Sequence, residues 1–328
     1  MAMTEHTILT KIRHNLLPVD YATLIYALFT SLLLVVFWNQ SDAPWKLLGT
    51  RVAISTGVVA LTYLYILYPS RVTMLLRQAY PLAMLGVWYP DIFEFSRHLP
   101  NFDHVFAAAD YRLFGCEPSL EMSKWFSGIV WSELFNAGYF SYYLMIVGAA
   151  VVPLLWNGKE LLRTIFIVTV GFFAYYIVFI FLPVAGPQFY FAAIDPAVVA
   201  DAQFPALGYY FDIHPDAPHI GNGIAGFFQY LVELMQESGE RPVAAFPSSH
   251  VGMGTVIMIL FWRLKRGVFW AMLPFYIQLC GATVYIGAHY FVDVIGGWLT
   301  AVLFYMAAKR LYDTFNNKNT IAWHYNAA

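Results

Sequence analysis

Residues 268–308 read VFWAMLPFYIQLCGATVYIGAHYFVDVIGGWLTAVLFYMAA. The stretch holds two apolar runs, Val268–Ala288 and Tyr290–Ala308, each near the roughly 20 residues that an α-helix needs to cross a hydrocarbon core. His289 stands at their joint and Asp293 four residues further on. Two spans placed back to back, with an ionisable pair at the turn, predict a helical membrane bundle carrying polar chemistry at one surface. Ionisable groups in such a setting are costly and are functional candidates by default. The four-residue spacing predicts that His289 and Asp293 share one helix face, so that the carboxylate orients the imidazole.

Further out along the chain the apolar pattern recurs at Tyr21–Trp38, Leu48–Tyr68, Gln78–Arg97, Trp131–Trp156, Thr164–Pro183 and Pro247–Trp262. The prediction is an all-α polytopic transmembrane bundle of about eight spans. Pro81, Pro90, Asp91 and Glu94 interrupt the third run, and the sixth is short. Composition agrees: 60% of residues are hydrophobic and 12% charged, against about 25% charged in soluble domains. Mean hydropathy is +0.59. A net charge of −2 gives no reason to expect nucleic acid. Cys116 and Cys280 make no disulfide framework and read as packing residues. The first run follows Lys11 and Arg13 like a signal peptide. It is longer than such a segment and lacks a small-x-small cleavage site, so it reads as a retained anchor.

Orientation follows from basic residues. With the N-terminus cytoplasmic, twelve Lys and Arg fall on the inner side and six on the outer, accounting for all 18. Both termini are then cytoplasmic, and His250 and His289 lie at the outer, extracytoplasmic ends of their helices. The chain divides into a cytoplasmic segment 1–20, spans with an outer loop 21–130, a helix bundle carrying the chemistry 131–310, and a cytoplasmic tail 311–328. Two long outer segments, 98–130 and 184–246, exceed ordinary loop lengths. An amphipathic stretch falls near Leu120–Ile129, and Ile224–Met235 is apolar enough to lie on the interface as a helix.

FPSSH at 246–250 places His250 at the start of the sixth run. Two imidazoles and a carboxylate suffice for phosphoryl transfer through a phospho-histidine. His289 attacks phosphorus, Asp293 holds its other ring nitrogen, and His250 protonates the leaving oxygen. Ser248 and Ser249 open a helix whose N–H groups can receive phosphate oxygens. Arg241 is the nearest outer cation and offers a bidentate contact. Each residue has a plainer reading: the histidines as interfacial hydrogen-bonders or metal ligands, Arg241 as an anchor, Asp91, Glu94 and Glu133 as headgroup-depth residues, and His214 and His219 as solvated loop residues.

FPSSH resembles the second signature of the type-2 phosphatidic-acid phosphatase superfamily, usually Pro-Ser-Gly-His. TVYIGAHYFVDVIGG at 283–297 resembles the third, a His followed four residues later by Asp. The similarity is closer to the inositol phosphorylceramide synthase branch, through PVAGPQFY at 183–190, the Phe before Pro-Ser and the HYFVD block. It covers roughly residues 160–310, with a weaker likeness in DYRLFG at 110–115. The resemblance implies that a lipid phosphate ester is cleaved at the outer face and its phosphoryl-headgroup passed to a lipid alcohol. No cofactor or metal is implied. His289, His250 and Asp293 would be catalytic, with Arg241, Ser248, Ser249, Pro187, Gln188 and Tyr190 binding substrate. Pro187 and Gln188 also suit a plain turn. Two departures stand out. The Lys and Arg-Pro of the phosphatase first signature have no counterpart at the family spacing, since Arg241-Pro242 lies close before Pro247. Ala282-Thr283 stands where the third signature opens Ser-Arg. Both departures favour transfer over hydrolysis. The alternatives are a lipid-phosphate phosphatase with water as acceptor and, in another class, an inactive transporter or scaffold. Membrane lipids are the partners expected; no protein partner is inferable.

Overall fold

The computed structural model describes residues 2–216, 226–239 and 241–318. Its regular structure is helical throughout, with one isolated bridge between Asn101 and Gly208 among the described residues. The order is α1 (Ala2–Asn15), α2 (Pro18–Val36), α3 (Pro44–Leu67), α4 (Arg71–Trp88), α5 (Asp91–Ser96), α6 (Asp103–Phe114) and α7 (Pro118–Trp125). Then come α8 (Ile129–Trp156), a 3-10 turn at Gly158–Glu160, and α9 (Leu161–Phe181). Four short helices, α10 (Pro187–Ala193), α11 (Pro196–Ala200), α12 (Tyr210–Ile213) and α13 (Phe227–Gly239), form the second long connection. The chain closes with α14 (Ser249–Leu264), α15 (Arg266–Tyr285) and α16 (Phe291–Lys318). Proline opens α2, α3, α7, α10 and α11, where its missing N–H and fixed φ cost nothing.

The central helix is α9, the most buried of the long ones. It packs against α2, α4, α8, α14 and α16, and Phe166, Tyr175 and Phe179 on it are fully buried. Helices α3 and α15 keep large apolar side chains such as Val52 and Ile277 on the outside. A soluble domain would cover such a surface; a bilayer is its natural solvent. The protein is thus a multi-pass membrane protein.

Among the described residues six helices are long and apolar enough to cross a membrane, against the eight that the apolar runs predict. Helix α14 has 16 residues and is shorter than a full span. The predicted third run, 78–97, is displaced. Helix α4 starts earlier, at Arg71, keeps Pro81 inside, and stops at Trp88 before α5 begins at Asp91. Its charged start is tolerated because Arg77 has partners. Arg77 Nη2 lies 2.5 Å from Asp20 Oδ2 on α2 and also donates to the Asn15 carbonyl, with both charged side chains 1% exposed. Arg51 on α3 pairs with Asp91 at 3.0 Å. A buried charge persists where its counter-ion is built in. Arg51 and Arg77 are therefore internal fasteners rather than interfacial cations, one from each side of the charge count. Asp91 is a partner of Arg51, not a free headgroup-depth acid.

The two long segments expected on the outer side also differ from expectation. The amphipathic stretch near Leu120–Ile129 falls partly on α7, which starts at Pro118 and ends at Trp125, ahead of Gly128 with φ +98°. Ile224 lies outside the described residues. Helix α13 starts at Phe227, where Glu133 of α8 accepts the N–H groups of Phe228 and Gln229 at 3.0 and 3.1 Å. Glu133 thus anchors α13.

Candidate active site

Three chain segments meet at one end of the bundle: 184–188 before α10, 243–250 leading into α14, and 286–293 between α15 and α16. Backbone hydrogen bonds stitch them together. Ala245 N–H donates to the Val184 carbonyl at 2.9 Å, Gln188 N–H to Gly287 at 2.8 Å, and Ser248 N–H to Asp293 at 3.0 Å. Glycines permit this closeness. Gly186 has φ +97°, and a Cβ there would sit 2.6 Å from the Ala288 carbonyl oxygen. A Cβ on Gly297 would lie 2.7 Å from the Ser248 carbonyl oxygen, so the starts of α14 and α16 touch backbone to backbone.

His289 belongs to no helix. It follows the turn at Gly287, φ +75°, and its own N–H donates to the Thr283 carbonyl at 3.0 Å. The expected shared helix face with Asp293 is therefore absent, because α16 starts at Phe291. The orienting partner also differs. His289 Nδ1 donates to the Ala245 carbonyl at 2.7 Å, while Asp293 Oδ2 lies 3.5 Å away and accepts the Tyr290 N–H at 2.8 Å. A carbonyl can only accept, so the His289 proton resides on Nδ1 and Nε2 keeps its lone pair. That Nε2 faces His250 Nδ1 at 3.3 Å. Burial pushes the His289 imidazole down to about 4, against the Ala245 hydrogen bond, which pulls upward. It is neutral at pH 7. Asp293 is fully buried, and its Oδ1 has no partner among the described residues.

His250, on α14, lies between two tyrosine rings of α8. Tyr139 and Tyr142 each have their ring centroid 4.6 Å from the imidazole. Among 23 tyrosines and 28 phenylalanines, nothing in their spacing marks these two.

A narrow cleft of about 10 Å³, room for one water, is lined by His250, His289, Gln188, Arg241 and Tyr89, among others. Of the predicted binding residues, Arg241 and Gln188 border it. Arg241 is half-exposed and holds Asp216 at 2.7 Å. Pro187 opens α10 and is buried beside the cleft rather than lining it. Tyr190 points away and donates to the Pro205 carbonyl at 2.9 Å. Ser248 caps α14, its Oγ accepting the Val251 N–H at 3.3 Å, and its own N–H is spent on Asp293. The helix start therefore has fewer N–H groups to offer than the sequence suggests, those of Ser249 and His250. Ser249 is itself buried. His214 packs against Tyr210 in a tilted ring pair, 4.5 Å between centroids, and His219 lies outside the described residues. Among the described residues no group of three or more His, Cys, Asp or Glu could hold a metal ion.

Helix α6 supplies two carboxylates that sequence reasoning passed over. Asp103, fully buried, accepts the N–H groups of Ala185 at 2.6 Å and Gly186 at 2.8 Å, and the Tyr290 hydroxyl at 2.9 Å. Asp110 accepts the N–H groups of Phe291 and Val292 at 2.6 and 2.8 Å, satisfying the first turn of α16. Burial raises both, Asp110 to about 6, while these hydrogen bonds pull them down. The signal available was Asp110 in DYRLFG; Asp103 had none.

A family model described as the PAP2 superfamily matches residues 103–307, more than half of the chain. The chain belongs to the type-2 phosphatidic acid phosphatase (PAP2) superfamily. No curated protein and no solved structure matches it. The PAP2 match begins at Asp103 itself, so it takes in α6 and both of its carboxylates and reaches well before the 160–310 stretch legible by motif. It is a match to the superfamily and singles out no branch.

Proposed function

We propose that this PAP2-superfamily chain is an integral-membrane phosphotransferase that opens a lipid phosphate ester through a phospho-histidine and passes the phosphoryl-bearing group to a lipid alcohol, as an inositol phosphorylceramide synthase does. The observation that carries the reading is the bare Nε2 of His289, with Nδ1 tied to Ala245 and His250 3.3 Å away. In the first half-reaction the Nε2 lone pair attacks phosphorus and the ester P–O bond breaks. His250 gives its proton to the departing oxygen. The phosphate anion favours a protonated His250, and so do the faces of Tyr139 and Tyr142, by cation–π attraction. Asp293 stabilises the positive charge that develops on His289. In the second half-reaction the acceptor alcohol attacks phosphorus, His250 takes the alcohol proton, and the N–P bond breaks to restore His289. Arg241 exchanges Asp216 for a phosphate oxygen, with the Ser249 and His250 N–H groups completing the contact. No divalent metal takes part.

Hydrolysis, with water in place of the lipid alcohol as acceptor, is the second reading. Mass spectrometry of lipids after incubation with phospholipid donors and a ceramide or diacylglycerol acceptor separates the readings. A new phosphodiester lipid means transfer, and free phosphate without one means hydrolysis. No turnover of any donor returns the chain to the inactive transporter or scaffold class. Chelator is expected to leave turnover unchanged and vanadate to inhibit it. Activity lost to chelator and restored by zinc or magnesium overturns the histidine-nucleophile mechanism.

A further inference from the structure

At the far end of the bundle from His250, the C-terminal end of α14 meets α9, α16 and the turn after α8. A cavity of about 150 Å³ lies there, lined by Asn157, Glu160, Arg163, Arg263 and Tyr305 over an apolar floor. Thirteen residues of α14 separate His250 from Arg263, roughly 20 Å along the helix axis, so this cavity is distinct from the histidine cleft.

Its charges do not cancel. Arg163 is shared between Glu160 at 3.7 Å and Asp313 at 3.3 Å. Asp313 is matched in turn by Lys309 at 3.5 Å. Arg263 has no acidic partner among the described residues; its Nη1 donates to the Tyr305 hydroxyl at 2.9 Å. The wall therefore carries two guanidinium groups against one carboxylate, a surplus of one positive charge. Its neutral polar groups are an amide and a hydroxyl, both able to donate. Guanidinium is the side chain best shaped for phosphate oxygens. A cavity of about this size holds a benzene ring, which leaves room for a phosphate group and its ester carbons.

We propose that this cavity is a second, non-catalytic site for a singly charged phosphate group, borne by an anionic membrane lipid or arriving as free phosphate. Basic pockets between spans recurrently take lipid headgroups, and one negative charge balances the surplus. Arg263 supplies the principal contact, Tyr305 positions it, and Arg163 closes the other side.

Thermal unfolding of the full-length protein in neutral detergent, titrated with short-chain phosphatidylglycerol or with inorganic phosphate, tests the site. Wild type is compared with Arg263→Gln, and with Arg263→Lys, which keeps the charge but loses the planar fork. Circular dichroism and elution volume check folding, and the Lys variant decides the matter should the Gln variant misfold. Apparent affinity is expected to fall tenfold or more in Arg263→Gln and by less in Arg263→Lys. A fall for phosphatidylglycerol alone identifies a lipid headgroup. A fall for inorganic phosphate, with or without the lipid, identifies the free anion as a ligand. Equal affinities in wild type and both variants, or binding of neither probe, overturns the proposal.

Discussion

The proposed nucleophile is set by one hydrogen bond. Because the Ala245 carbonyl fixes the His289 tautomer, Asp293 is left with an electrostatic role. His289→Ala is expected to abolish turnover in the lipid assay while circular dichroism stays unchanged; wild-type rates in that variant would remove His289 from the mechanism. Asp293→Asn is expected to lose on the order of 10²-fold, the scale of one electrostatic contact. A serine-protease triad loses about 10⁴, because there the carboxylate also sets the tautomer. A 10⁴-fold loss here would hand the orienting role back to Asp293. The depressed His289 value of about 4, against an ordinary 6.5, has a pH signature of its own. On acidification the unfolded chain takes the proton first. The stability owed to neutral His289 is therefore complete above about pH 6.5 and declines as pH falls towards 4. Thermal unfolding of His289→Gln is expected to show a shallower decline across that window than wild type.

Helix α6 ties together what the motifs merely list. Asp103 holds segment 184–186 and Tyr290, and Asp110 holds the start of α16, so one short helix fixes the approach of two of the three site segments. Asp103→Asn puts an N–H₂ group where N–H donors converge. It is expected to cost about 1–3 kcal/mol for a buried donor left unpaired, read as a lower unfolding midpoint. Asp110→Asn keeps one acceptor and behaves as a weakened cap, about 1 kcal/mol, with a lower kcat and little change in KM. An unchanged kcat would confine Asp110 to stability. These carboxylates illustrate where sequence reading stops. FPSSH and HYFVD were legible because polar residues at the edge of apolar runs are rare and their spacing is short. The backbone N–H groups that Asp103 and Asp110 accept lie 82 to 182 residues away and carry no sequence signature. Tyr139 and Tyr142 were hidden by abundance. The His289–Asp293 spacing predicts proximity, which the 3.5 Å approach bears out, and a shared helix face, which fails because nothing in four residues reveals where α16 starts. Apolar runs located the long helices well and failed at α4, where a buried ion pair lets charge enter a helix.

Across the whole molecule the histidine cleft and the arginine-lined cavity occupy opposite ends, so orientation in the membrane can be read from both. On the charge bias, Tyr209→Cys in a Cys116→Ala, Cys280→Ala background is expected to react with an impermeant thiol reagent on intact cells. Asn157→Cys, beside the arginine cavity, is expected to react only after lysis. The reverse pattern would invert the topology and place the proposed chemistry on the cytoplasmic face. The Asp20–Arg77 pair bears on how the molecule comes to be made. Helix α2 is synthesised with its carboxylate, and α4 brings the counter-ion 57 residues later. In the interval Asp20 meets the bilayer uncompensated, a state that lipid disfavours. Helix α2 is thereby kept from settling alone, and insertion of the α2–α3 hairpin becomes a joint event with the arrival of α4. Nascent chains ending before Arg71 are expected to integrate less completely than chains ending after Trp88, and Asp20→Asn is expected to erase the difference.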